Sequence, residues 1–149
     1  MDEAPQSRYA HAVGRSGERV VLPVERGHVR RFAEAVGDGS PLYRDEAAAR
    51  AAGHRAIPAP PTFAIALRAP DPRVGLDIDF TKLLHGEQEL LFDRPLYVGD
   101  EIAVQATIVE ASCKAGKAGP MDLVVVETVG HDATGARVFR ARSLAVIRR

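Results

Sequence analysis

A chain of 149 residues suits one domain and leaves little room for two. Apolar residues make up 46% and charged residues 27%, an ordinary globular balance that argues against disorder. Lys plus Arg and Asp plus Glu number 20 each, so no net charge draws the chain to nucleic acid or an anionic membrane, although a local patch stays open. Cys113 is the lone cysteine, which excludes an intramolecular disulfide and a multi-cysteine zinc site. No apolar run approaches ~20 residues, and the opening MDEAPQSRYAHAVGR starts acidic and has no apolar stretch. The expectation is a cytoplasmic protein with no membrane and no nucleic-acid partner.

Residues 1–17 are polar and contain Gly and Ser, and are expected to form a flexible arm ahead of a domain spanning 18–149. Residues 19–24 are a β-branched run and predict a strand. Val29, Phe32, Ala33 and Val36 then recur at helical spacing, with Arg30, Arg31 and Glu34 off that face, and Gly37 ends the helix. Asp38 to Tyr43 is rich in turn residues. Asp45 and Glu46 open an Ala-rich helix over 47–52, and Gly53 closes it. The prolines of 57–61 exclude a helix interior. Residues 62–69 are apolar on nearly every side, which predicts a buried helix stopped by Pro70.

Beyond residue 82 the period changes. Residues 83–92 read as a strand, and 94–100 as a connection. Ile102, Val104, Ala106 and Ile108 alternate with other residues in a period of two. Residues 113–120 carry Gly and Lys and are expected to be a hairpin loop. Strands follow over 123–129 and 138–147, around a turn at 131–135. Helices followed by a run of antiparallel strands make an α+β chain, and an antiparallel sheet wrapped around one buried helix, the hot-dog fold, fits it best. Such a sheet hides its remaining surface in a dimer, so an oligomer is expected.

The chain has no phosphate-binding glycine loop, no HExxH and no GxSxG. Its candidates for chemistry are a loop carboxylate and two histidines near turns. Asp38 is either a turn residue bonding its own backbone or a carboxylate presented to orient water. His85 is either a strand-end residue, a pocket contact or a base. His54 suits a helix C-terminus. His11, His28 and His131 read as solvated, and no two histidines share a metal-ligand spacing, so no metal is expected. The 62–69 segment is core, or its alanines leave a slot beside Phe63 and Leu67. The arginines at 30, 31, 137, 140 and 142 are solvated faces, or they meet phosphates or an acidic carrier protein.

Five pieces in order carry a family resemblance: FAEAVGD at 32–38, GSPLY at 39–43, IPAPPTF at 57–63, LHGEQ at 84–88, and RPL with GD at 94–100. In these the chain resembles the MaoC-like hydratase/dehydratases, from about Val20 to Ile147. The resemblance implies a hot-dog domain and chemistry on 2-enoyl or (3R)-3-hydroxyacyl thioesters without a cofactor. The family pattern GDxNPxH holds a water between its Asp and His. Asp38 matches the Asp, Pro41 and Leu42 match, Ser40 replaces Asn, and Tyr43 stands in place of the His. A phenol with a pKa of ~10 is a poor base at pH 7. The run ending in Pro61, Thr62 and Phe63 stands where catalytic members carry His-Gly.

The chain therefore looks like a degenerate accessory subunit, a component of a hydro-lyase that binds the acyl chain beside a catalytic hot-dog partner. The candidate catalytic residues are Asp38 and Tyr43. The candidate substrate-binding residues are Pro41, Pro61, Phe63, Leu67, His85 and Gly86. The implied partners are an acyl-CoA or acyl-carrier-protein thioester and a homodimer or heterodimer mate. The alternatives are a self-sufficient hydratase homodimer using Asp38, and a non-catalytic thioester-binding module.

Overall fold

A computed structural model describes residues 6–149; the first five residues of the expected arm lie outside the described residues. Five strands, β1 (Val20–Pro23), β2 (Leu83–Phe92), β3 (Glu101–Gly116), β4 (Gly119–His131) and β5 (Arg137–Arg148), form one antiparallel sheet in the order β1-β3-β4-β5-β2. Two helices, α1 (Arg26–Ala35) and α2 (Glu46–Ala51), lie with tighter helical turns on its inner side. This is the expected α+β hot-dog architecture.

Period-two patterning fixes the sheet's inner face. Ile102, Val104, Ala106 and Ile108 of β3 and Val124 and Val126 of β4 are all buried, while their neighbours are partly exposed. The β3–β4 hairpin is much tighter than a loop over 113–120. The strands pair as far as Gly116↔Gly119, leaving Lys117 and Ala118 as a two-residue turn. Lys and Gly there mark strands that have run past the core into water, not the end of pairing.

α1 buries Val29 and Ala33 and packs Phe32 against the core, whereas Val36 sits at the cap and is exposed. α2 starts as read: the Asp45 side chain accepts the Ala48 N–H at 2.9 Å, the bond of an N-cap. The expected buried helix over 62–69 is corrected. It is a 3-10 segment, Pro61–Ala66, ending where Leu67 turns to ψ 78°. Pro60 and Pro61 supply no N–H, and Pro70 and Pro72 bar continuation. Phe63, Ala64 and Leu67 face the core, but Ile65 is half exposed. Composition showed the apolar character of the segment, not which side water reaches.

The core has two halves. One gathers Val29, Phe63, Ile102, Val104 and Phe139 beneath α1. The other gathers Tyr9, Ala12, Ile78, Ile108, Val124 and Ile147. Residues 6–17, expected as part of a loose arm, thus supply cover for the second half. Tyr9 donates its hydroxyl to the Asp77 carbonyl at 2.9 Å, and Ser16 bridges to Thr107.

Asp122 fastens this arm. Its carboxylate is fully buried on β4 and accepts from the Arg8 backbone and side chain and from the Arg149 guanidinium, at 2.8–3.1 Å. Burial alone would raise its pKa, but the Arg149 and Arg8 hydrogen bonds outweigh it and hold the carboxyl well below the usual range. Asp122→Ala should cost about 2 kcal/mol in urea unfolding, less than a fully buried pair because both arginines can turn to water. Since the folded pKa is depressed, the contribution should be complete above about pH 5 and fall as pH drops through the unfolded value towards the folded one. A variant as stable as the parent at pH 7 would refute this role.

Candidate functional site

One backbone device places both Asp38 and His54. α1 ends at Gly37 (φ +74°) and α2 at Gly53 (φ +88°), left-handed positions that strain any residue with a Cβ. The Asp38 N–H bonds back to the Ala33 carbonyl at 2.8 Å and the Gly37 N–H to Glu34 at 3.1 Å; His54 and Gly53 repeat the pattern on Ala49 and Arg50, both at 3.0 Å. These are Schellman caps, so the residue after each glycine is anchored to its helix.

The Asp38 carboxylate then accepts the Ser40 N–H at 2.9 Å, and the Ser40 hydroxyl accepts the Leu42 N–H at 3.3 Å. Asp38 thereby closes a turn on its own backbone, and Ser40 caps the 3-10 turn Pro41–Tyr43. Pro41 itself is exposed. Tyr43 is half-buried beside this loop. Burial raises its pKa above the ordinary phenol value, and the Asp38 charge raises it further. Tyr43 can donate a hydrogen bond, but its environment takes it further from acting as a base.

Tyr43 opens onto an apolar cleft of about 460 Å³ whose walls include His54, Pro60, Pro61, Phe92 and Arg94. That size suits a ligand-binding cleft. His54 is held by the Tyr97 hydroxyl at 3.2 Å. Arg94, on the cleft wall, belongs to a charged clamp absent from the sequence reading. Asp100 accepts from Arg94 and Arg55, each at 2.7 Å, and from the Tyr97 N–H at 2.9 Å, while Arg94 also reaches Asp132 at 3.2 Å. Burial pushes the Asp100 pKa up, and these bonds bring it net downwards. Asp132 is lowered to about 2, foremost by the Thr134 hydroxyl, then against the opposing effect of burial by Arg94. The RPL and GD pieces were legible as motifs; their pairing across the loop was not.

A second, smaller groove of about 270 Å³ lies at the other end of the 3-10 segment. Leu67, His85, Gln88, Thr128 and Ser143 line it. The sequence candidates are thus divided. Tyr43 and Pro61 share the cleft; Leu67 and His85 share the groove; Asp38 lines neither. His85 does not meet Asp38 across a common cavity. Phe63, expected beside a slot, is fully buried, with His28 and Phe32 packed edge-on to it at 4.8 and 5.4 Å. His28, read as solvated, is therefore part of the core wall. Gly86 sits where the β2–β5 register slips between His85 and Glu87, and a Cβ there would press on Val146 at 3.0 Å. Arg30, Arg137 and Arg142 are paired with Glu34, Asp93 and Glu110. Thr128 and Ser143 went unremarked in the sequence, although both are polar residues in step with buried apolar ones on their strands. Among the described residues, no three His, Cys, Asp or Glu side chains are grouped to hold a metal, and no helix is long and apolar enough to cross a membrane.

Comparison with known proteins adds to this geometry. Residues 11–141 match the family model described as FAS1-like, dehydratase domain region. A UPF0336 protein of Streptomyces griseus is 41% identical over 132 residues, covering 84% of each chain. Among solved structures, the C-terminally truncated HadBC (3R-hydroxyacyl-ACP dehydratase) complex of Mycobacterium tuberculosis contains a chain with 26% identity and a TM-score of 0.74, covering 91% of this chain and 96% of that one. A MaoC-like dehydratase matches at 28% identity and a TM-score of 0.79, covering 93% of this chain but 42% of its own length.

The Tyr43 environment can be read optically. In a spectrophotometric titration, the phenolate signal lost in Tyr43→Phe should belong to a group ionising above pH 10. A missing group that titrates below pH 10 would contradict the placement of Tyr43 beside Asp38.

Proposed function

The chain belongs to the FAS1-like dehydratase domain region family, and from that premise we propose that it is the acyl-chain-binding subunit of a (3R)-hydroxyacyl-thioester dehydratase or enoyl-thioester hydratase. Its mate is a catalytic hot-dog subunit that supplies the Asp and His. The observation that carries this reading is the phenol of Tyr43 where the family pattern needs an imidazole. Dehydration requires a base near neutrality to move a proton, and a phenol with a raised pKa does not supply one. Asp38 meanwhile is engaged in its own turn.

The open edge of β2 supports the pairing. β2 is bonded on one side only, to β5, and Leu84, Leu91 and Phe92 are 37–49% exposed along it. Cleft and groove both reach this strand, the cleft at Phe92 and the groove at His85 and Gln88. A partner strand laid antiparallel on β2 brings the groove end of one subunit against the cleft end of the other. An acyl chain leaving the partner's catalytic loop then enters this subunit, while the carrier, CoA or acyl carrier protein, stays outside. The match to a chain of a hydroxyacyl-ACP dehydratase complex is consistent with such an arrangement.

Hydration of crotonyl-CoA, followed by loss of enoyl absorbance, tests this. The purified chain should be nearly inactive, and adding a catalytic hot-dog subunit should raise the rate by about 100-fold or more. Asp38→Asn in the pair should change kcat by less than about threefold. Substantial turnover by the chain alone, abolished by Asp38→Asn, would instead establish a self-sufficient hydratase. Thioester binding with no turnover in any pair would establish a binding module.

A further inference from the structure

Beyond the buried Asp122, which the N-terminal arm and Arg149 cover, the inner face of the sheet along β4 and β5 is apolar except at one place. On β4 the inward positions Val124 and Val126 lead to Thr128; on β5, Ala141 and Ala145 flank Ser143. The pairs Thr128↔Ala141 and Val126↔Ser143 set the two hydroxyls diagonally across adjacent strands, and Gln88 on β2 directly opposes Ser143. Three polar side chains from three neighbouring strands therefore line one groove. Ala106, Val126 and Ala141 make up the rest of its floor. The 3-10 segment ends at Ala66, and the chain beyond it borders the groove with Arg68 and with Arg73, which is paired to Asp71 at 2.8 Å.

Gln88 directs its amide N–H at the Glu89 and Arg142 carbonyls, at 3.3 and 3.1 Å. Its own carbonyl oxygen remains as an acceptor, and each hydroxyl can donate and accept. An alkyl chain lying here would strip water from these groups and return no hydrogen bond, an arrangement that proteins avoid. An oxygen function on the ligand satisfies them.

We propose that Thr128, Ser143 and Gln88 form a specificity subsite that selects an acyl chain bearing an oxygen function, a hydroxyl or carbonyl, part-way along its length over a plain alkyl chain. The subsite rests on the acyl-binding role proposed above and adds to it a substrate class. His85 stands at the mouth of the same groove on the β2 edge, where the chain enters.

The test is calorimetric binding of decanoyl-CoA and of a set of decanoyl-CoA analogues, each with a single hydroxyl between C5 and C9, to the full chain with its catalytic mate. At least one analogue should bind about fivefold or more tightly than decanoyl-CoA, since a site built for a hydroxyl discriminates against its absence. The near-isosteric double variant Thr128→Val with Ser143→Ala should bind decanoyl-CoA at least as tightly as the parent, the desolvation cost being gone, and should lose the preference. If that variant fails to fold, Gln88→Met on the exposed strand should reduce the preference at least twofold. Equal binding of all the thioesters, or a preference that survives these changes, overturns the subsite alone. Binding of no thioester overturns the acyl-binding role, and the subsite with it.

Discussion

The unpaired edge of β2 is the constraint on which the rest of the structure depends. One side of its backbone bonds to β5, and the other is left to water. Proteins usually blunt such an edge, and here the blunting is partial. The slip at Gly86 and the exposed Glu87 and Glu89 restrict which strand can dock, while Leu84, Leu91 and Phe92 leave apolar surface that docking would cover. Both cavities reach this strand, the cleft at Phe92 and the groove at His85 and Gln88. The opposite edge offers no equivalent: β1 has four residues and ends in Pro23.

The site is shaped by what the loop after α1 has become. The Schellman cap at Gly37 fixes the start of the loop, and the two side-chain bonds from Asp38 and Ser40 stiffen it down to Tyr43. Where the MaoC-like pattern has a histidine, the loop ends in the phenol of Tyr43, whose pKa is raised by burial and by Asp38. That phenol also makes the end of the loop a wall. Tyr43, with Pro60, Pro61 and Phe92, bounds an apolar cleft, and Arg94 on its wall is held by Asp100 and Asp132. At the other end of the 3-10 segment, small and polar residues of β4 and β5 line the groove.

The hot-dog architecture was legible in the sequence because its signals are local. Ile102 to Ile108 alternate in plain view, Val29, Phe32 and Ala33 mark a helix face, and Asp45 announces a cap. Tyr43 was singled out because a motif fixes its place, and it stands on the wall of the cleft. What escaped depended on distance. Asp122 looks like one more strand residue until Arg8, 114 positions away, and Arg149 converge on it. The pairing of Arg94 with Asp132, and of Tyr9 with the Asp77 carbonyl, spans loops in the same way. The 62–69 segment failed differently, since a stretch apolar on nearly every side has no period to show which side is covered. Phe63 and Ile65 are two positions apart, and one is sealed while the other is half exposed.

Amide hydrogen exchange along β2, measured on the assembled species, tests most directly whether this edge is where the catalytic subunit docks. The amides of residues 83–92 that do not bond to β5 should exchange slowly in the assembly and rapidly when it is dissociated. Fast exchange of those amides in an intact, active assembly would show that the subunits meet elsewhere.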